Sequence, residues 1–259
     1  MPYAPTPHVL LEQDGPVAVI TLNNPDERNA FLDDMHEALR EIWWHLAFDR
    51  TVRAAVITGA GSAFSAGGNI PTFIRDYDDA EHRRMSLWGA RRLMEAIIEF
   101  PKPLVAAVNG PAVGLGCSVA VSSDIVLIAE SAFMADTHVN IGLVAGDGGA
   151  ALWPLMMGFL RAKEYLLTGE RIPAAKAVEL GLASRVVADD QLMAEAMTLA
   201  HKLAAQPPQA MQETKRAINL HAQAAITLVA PFACAAETES FASDEIRKTI
   251  ETFKGSVKS

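Results

Sequence analysis

The chain has 259 residues, half of them apolar, with a formal charge of −9 and two cysteines. That length and apolar content can bury one large core, alone or with a smaller helical unit docked on it. The acidic balance, with basic residues in nothing longer than pairs such as Arg83-Arg84 and Arg91-Arg92, argues against a nucleic-acid or anionic-membrane surface. Cys117 and Cys234 are too few and too far apart for a disulfide scaffold or a CxxC metal site, so two reduced thiols are expected. No run approaches the roughly 18 uninterrupted apolar residues of a membrane span, and MPYAPTPH lacks the charged-then-apolar pattern of a secretory signal. A cytoplasmic protein with no membrane partner is expected.

HVLLEQDG and PVAVITLNN alternate apolar and polar positions around a Gly-Pro turn, which predicts an opening hairpin. From Asp33 to Phe48, Met35, Leu39, Ile42, Trp43 and Leu46 recur at three- and four-residue spacing, the pattern of an amphipathic helix. AAVITG, 54–59, is a buried strand, and the small residues of 59–70 make a tight loop. A helix is predicted from about Ala80 to Phe100, ended by Pro101 and Pro103; PLVAAVNG is the next buried strand. A glycine-rich turn then runs into a short helix, and DIVLIAE is a strand. Beyond about Ala150 helical patterns dominate: 150–168, 173–181, 190–205 and 208–254, the last with Pro207, Pro208 and Pro231 as interruptions. Alternating strands and helices imply an α/β fold. We divide it into an α/β core, residues 1–198, and a C-terminal helical region, 199–259.

Two glycine-rich loops follow buried strands. In Phe64-Ser65-Ala66-Gly67-Gly68-Asn69-Ile70 the small side chains let a ligand approach backbone N–H groups. Gly114-Leu115-Gly116-Cys117 opens a helix whose first N–H groups lack intrahelical partners. Two such donors converging on one point would form an oxyanion hole. Each loop taken alone reads more readily as a tight connection than as a ligand site. Neither is a GxxxxGK[ST] phosphate loop, and GLVAGDGG is not a dinucleotide fingerprint.

The ordered set RNAF at 28–31, AAVITGAGSAFSAGGNI at 54–70, KPLVAAVNGPAVGLGCSVAVSSDIVLIAESAFM at 102–134, IGLVAGDGG at 141–149 and LTGERIPAAKAVELGLASRVV at 167–187 resembles the enoyl-CoA hydratase/isomerase (crotonase) family, over roughly residues 9–254. The resemblance implies a crotonase-like spiral of ββα units with a C-terminal helical trimerisation region, assembly as a homotrimer or hexamer, and stabilisation of a thioester enolate. It places the oxyanion-hole amides at Gly68 and Leu115. It places Arg28, Ala30, Ala66, Asn69 and Ile70 along the coenzyme A and substrate, with Phe253 near the coenzyme A of a neighbouring subunit. A basic residue expected three positions after Phe253 is replaced by Ser256, with Lys254 and Lys258 nearby. Coenzyme A enters as part of the substrate; no separate cofactor and no metal is implied.

The chain leaves the hydratase pattern where that pattern has two glutamates, because Ser118 and His138 stand there instead. An imidazole titrates near neutral pH and can take or give a proton, so His138 is the candidate base. The other histidines, His36, His45 and His82 among them, read as ordinary interior or surface groups. Asp147, in a Gly-Asp-Gly turn, reads either as a helix-capping acid or as the partner that orients His138. HVNIGLVAGDGGAALWP locally resembles 6-oxocamphor hydrolase, a crotonase relative that cleaves a carbon-carbon bond of a β-diketone. Three readings follow: an acyl-CoA hydratase or isomerase using His138; a hydrolase of a β-diketone or β-ketoacyl-CoA using His138 and Asp147; and a non-catalytic acyl-CoA-binding protein.

Overall fold

The computed structural model of the chain describes residues 6–257; the first five residues, Lys258 and Ser259 lie outside them. The opening hairpin is β1 (Val9–Asp14) against β2 (Val17–Leu22), antiparallel, with Val9 opposite Leu22. β3 (Ala54–Gly59), β4 (Leu104–Val108), β6 (Ile125–Ala129) and β9 (Arg185–Val187) add parallel strands in the order β1-β2-β3-β4-β6-β9. β3 and β4 are buried throughout, which is why their sequences are continuous apolar runs. Short strands β5 (Ala112–Val113), β7 (Phe133–Ala135) and β8 (Ile172–Pro173) form a second sheet.

α1 (Asp33–Phe48) buries Met35, Leu39, Ile42, Trp43 and Leu46, the residues whose spacing predicted it. α3 spans Ala80–Glu99, α4 Leu115–Val121, α7 Ala174–Leu180 and α8 Leu192–Ala204. The predicted helix 150–168 is two, α5 (Gly149–Met157) and α6 (Phe159–Thr168), because Gly158 between them takes φ 81°. One helix within the first loop's flank escaped the sequence reading: α2 (Ile70–Asp78), whose N-cap Asn69 accepts from Thr72 N at 3.3 Å.

Pro231 does not interrupt the C-terminal region: α9 runs from Pro208 to Ser240 through it. Pro231 lies on the exposed side, where water can satisfy the carbonyl left without a donor. α9 is, among the described residues, the helix long and apolar enough to cross a membrane by length and composition alone. It packs instead on α3 and α5. Its Lys215 reaches Asp124 of the loop before β6 at 2.7 Å and the Lys102 carbonyl at 2.8 Å, tying it to the sheet. α10 (Asp244–Val257) returns against α2. Leu143, Phe241, Ile246 and Ile250 form a small apolar cluster there, apart from the main core.

Candidate active site

The two glycine-rich loops are stitched together by backbone. Val113 N donates to Ser65 O at 2.9 Å, and Ser65 N to Pro111 O at 3.1 Å. Gly116 fits against Ser65 so closely that a Cβ there would overlap the Ser65 side chain. Arg28–Phe31 runs alongside: Ala66 N donates to Arg28 O at 2.9 Å and Phe31 N to Gly67 O at 2.8 Å. Asn29, buried at φ 55°, holds this arrangement by donating to the carbonyls of Ala60 and Ala63, each at 2.8 Å. The result brings Gly68 and Leu115 to one small cavity of ≈ 50 Å³, also lined by His138 and Asp147. Neither the Gly68 nor the Leu115 N–H has a backbone acceptor among the described residues.

The predicted contact residues divide. Asn69 lines the cavity, but its side chain caps α2 and donates to Glu27, so it is committed to the fold. Ile70 is the first residue of α2 and does not line this cavity. Arg28 is exposed, Ala30 buried and Ala66 half-buried, all beside the Gly67-Gly68 turn. Phe253 packs on the α10 cluster within its own chain, and Lys254 is paired with Asp78 at 2.8 Å.

Behind the amides lies a buried polar cluster. His138 opens a 3-10 turn, His138–Ile141. Its Nδ1 lies 2.6 Å from Asp136 Oδ1, and its Nε2 3.4 Å from Asp147 Oδ2. The Ser118 hydroxyl, from α4, donates to Asp147 Oδ1 at 3.0 Å. Asp147 is therefore not a helix cap: Gly148 holds the N-cap position of α5. Nor is it the carboxylate in closest contact with the imidazole, which is Asp136. The glycines around Asp147 make the cluster possible, since a Cβ at Gly146 would strike Glu237 Oε2 and one at Gly149 would strike Asp136 Oδ2.

Burial disfavours a charged imidazole at His138, but the Asp136 carboxylate and then Asp147 outweigh it and hold its pKa well above the ordinary histidine value. Burial raises Asp147, against the pull of His138. Glu237, from α9, lines the same cavity; burial pushes its carboxyl up to about 8, and its Oε2 has no hydrogen-bond partner. His36 also lines the cavity, and burial lowers it to about 4, so it is neutral. Cys117 and Cys234 are free, and burial raises both thiols.

The sequence reading missed Asp136 and Glu237. Asp136 carried a signal, lying two residues before the candidate base in Asp-Thr-His. Glu237 carried none, since only the packing of α9 brings it here. Asp136, His138 and Asp147 each present a ligand atom within 4.8 Å of one another, close enough for a divalent cation. With His138 Nδ1 engaged by Asp136, the imidazole would offer Nε2 alone.

The enoyl-CoA hydratase/isomerase family model matches residues 12–258. A short-chain-enoyl-CoA hydratase of Clostridium acetobutylicum is 31% identical over 247 residues, covering 95% of this chain and 94% of its own. The 1,2-epoxyphenylacetyl-CoA isomerase of Escherichia coli is 36% identical over 207 residues, 78% of each chain. The crystal structure of an enoyl-CoA hydratase/isomerase from Mycobacterium paratuberculosis has a TM-score of 0.92 to this chain at 46% identity, over 95% of this chain and 98% of that one. The α/β fold with its C-terminal helices is thus the fold of those solved structures.

Proposed function

Because the chain belongs to the enoyl-CoA hydratase/isomerase family, we propose that it acts on an acyl-coenzyme A thioester by way of an enolate. The amides of Gly68 and Leu115 hold the oxyanion, and Asp147, paired with His138, exchanges a proton with the substrate. The observation that carries this reading is the meeting of both amides with the His138–Asp147 pair on one cavity.

The electrostatics refine the expectation that His138 is itself the base. An imidazolium held by Asp136 has no lone pair for a substrate proton, so His138 begins the cycle as the charge-balancing partner of Asp147. Asp147 is the acceptor, with an affinity raised by burial and a position fixed by Ser118 and His138. As negative charge moves onto the thioester oxygen, the two fixed N–H donors stabilise it without reorganising. Coenzyme A arrives with the substrate and passes along Arg28, Ala30 and Ala66. Turnover of crotonyl-CoA and of 3-enoyl-CoA esters tests the reading and separates hydratase from isomerase.

The close Asp136–His138 contact favours a second reading. A carboxylate on Nδ1 with Nε2 turned to the cavity suits activation of water in the neutral imidazole, the state this reading requires; that water would attack a β-diketone or β-ketoacyl-CoA and expel an enolate into the same two amides. No cleavage of any such diketone, together with full activity in Asp147→Asn, counts against it. A silent acyl-CoA-binding role has no use for this buried, charge-coupled cluster.

We also propose a homotrimeric or hexameric assembly in which α9 contributes to the interface. Leu228 and Phe232 are exposed on it, together with Ile218 and Leu220. Light scattering that gives a monomer overturns this. The cytoplasmic setting stays a proposal from composition.

A further inference from the structure

The hydratase pattern needs two carboxyl groups in opposite protonation states, one to accept a proton and one to give it. Ser118 and His138 occupy both of the usual positions, and Asp147 supplies only one carboxylate to the cavity floor. Two more carboxyl groups line the cavity, Asp76 and Glu237; Asp76 is engaged by His82 Nδ1 at 2.5 Å, which leaves the one from the far end of the sequence. Glu237 is buried in α9, lines the cavity with Gly68, Leu115, His138 and Asp147, and keeps Oε2 without a partner. Its headgroup lies against Gly146, the residue before Asp147, at a point where any side chain would collide with it.

We propose that Glu237 is the catalytic acid of this site, a neutral carboxyl that delivers its proton to the enolate carbon. The assignment rests on the enolate reading above but not on which reaction forms the enolate. In hydration, a water oxygen bonds to the β carbon while Asp147 takes the water proton and the π electrons move into the enolate. Those electrons then form the α C–H bond with the Glu237 proton. In isomerisation, Asp147 takes the α proton and Glu237 protonates the γ carbon of the dienolate. Glu237 ends as a carboxylate and Asp147 as a carboxylic acid; loss of the Asp147 proton to water and uptake of one by Glu237 restore both before the next cycle.

The surroundings keep the two carboxyl groups apart in protonation. Burial raises Glu237 to about 8; His138 opposes this, and Asp147, Asp136 and Asp76 of α2 add to it. From α3, Arg91 and Glu95 face the neighbouring Cys234 on α9. Glu237 is therefore protonated at neutral pH; burial raises Asp147 as well, and the imidazolium 3.4 Å away opposes that rise and favours its ionised form.

The test uses the full chain. Glu237→Gln is expected to lower kcat by about 100-fold, the usual range for a lost acid, and to abolish a decline of wild-type kcat as pH rises through about 8. Glu237→Asp is expected to restore part of the rate and the pH limb. Infrared spectroscopy of the wild-type protein is expected to give a buried carboxylic-acid band at pH 7 that titrates in the same range and is absent from Glu237→Gln. A Glu237→Gln rate within about twofold of wild type, or no such band in the wild type, overturns the proposal; the second readout stands even where the variant fails to fold. The thioester reading fails separately, by absence of wild-type turnover with any acyl-CoA ester.

Discussion

The Ser118 hydroxyl donates to Asp147 Oδ1 at 3.0 Å across 29 positions of sequence. In the hydratase pattern the residue at 118 is itself a carboxylate. Here the helix keeps the position and the Gly146-Asp147-Gly148 turn brings the charge to it. Ser118→Ala removes a donor that stabilises ionised Asp147, so Asp147 is protonated to a higher pH. We expect the acid limb of the kcat profile to move up by about one pH unit, the size of one charge-assisted hydrogen bond. A pH–rate profile checks it.

Asp136 sets the state of His138. Asp136→Asn keeps an acceptor of similar shape but removes the charge that opposes burial of the imidazolium. His138 should then lose its Nε2 proton at neutral pH. A fall in kcat of about 100-fold or more is expected by analogy with a carboxylate–imidazole pair. Imidazole NMR shifts report the deprotonation directly, and a variant that remains protonated at pH 7 contradicts the account.

Leu115 is the first residue of α4, a position where proline is tolerated because its N–H has no helical partner. Leu115→Pro therefore deletes one proposed oxyanion donor while keeping the helix start, at the cost of the packing of the buried Leu115 side chain. The expected loss is about 3 kcal/mol of transition-state stabilisation, or about 100-fold in kcat. Circular dichroism on the same sample checks that the fold is kept.

Much of this was legible before the structure. The bounds of α1 and β3 followed from periodicity and from a continuous apolar run, because both bury their faces in the main core. α2 was not legible: it is nine residues long, buries only Asp76, and is marked only by Asn69 as cap and Pro71 in its first turn. At the site, Ser118, His138 and Asp147 could be read from family positions, yet their connections could not. The sequence paired Asp147 with His138, whereas the shortest contact is with Asp136, and Glu237 lies 90 residues beyond Asp147 on a helix whose local pattern is uninformative.

His36 supplies a stability prediction. Burial lowers it from 6.5 to about 4, so between those values the unfolded chain binds the proton more tightly. Its contribution is present above pH 6.5 and is lost as pH falls through about 4. By pH 5 the loss is about 2 kcal/mol from this residue alone. Thermal unfolding at pH 7 and pH 5 should show a fall in Tm that is smaller in His36→Leu.

The central claim is that Asp147, charge-balanced by His138, exchanges a proton with a thioester enolate held by Gly68 and Leu115. Steady-state turnover of crotonyl-CoA and a 3-enoyl-CoA ester, by wild type, His138→Gln and Asp147→Asn, tests it most directly. The account predicts turnover of at least one ester by the wild type and a loss of about 100-fold or more in each variant. No turnover of either ester, or variants as fast as the wild type, would contradict it.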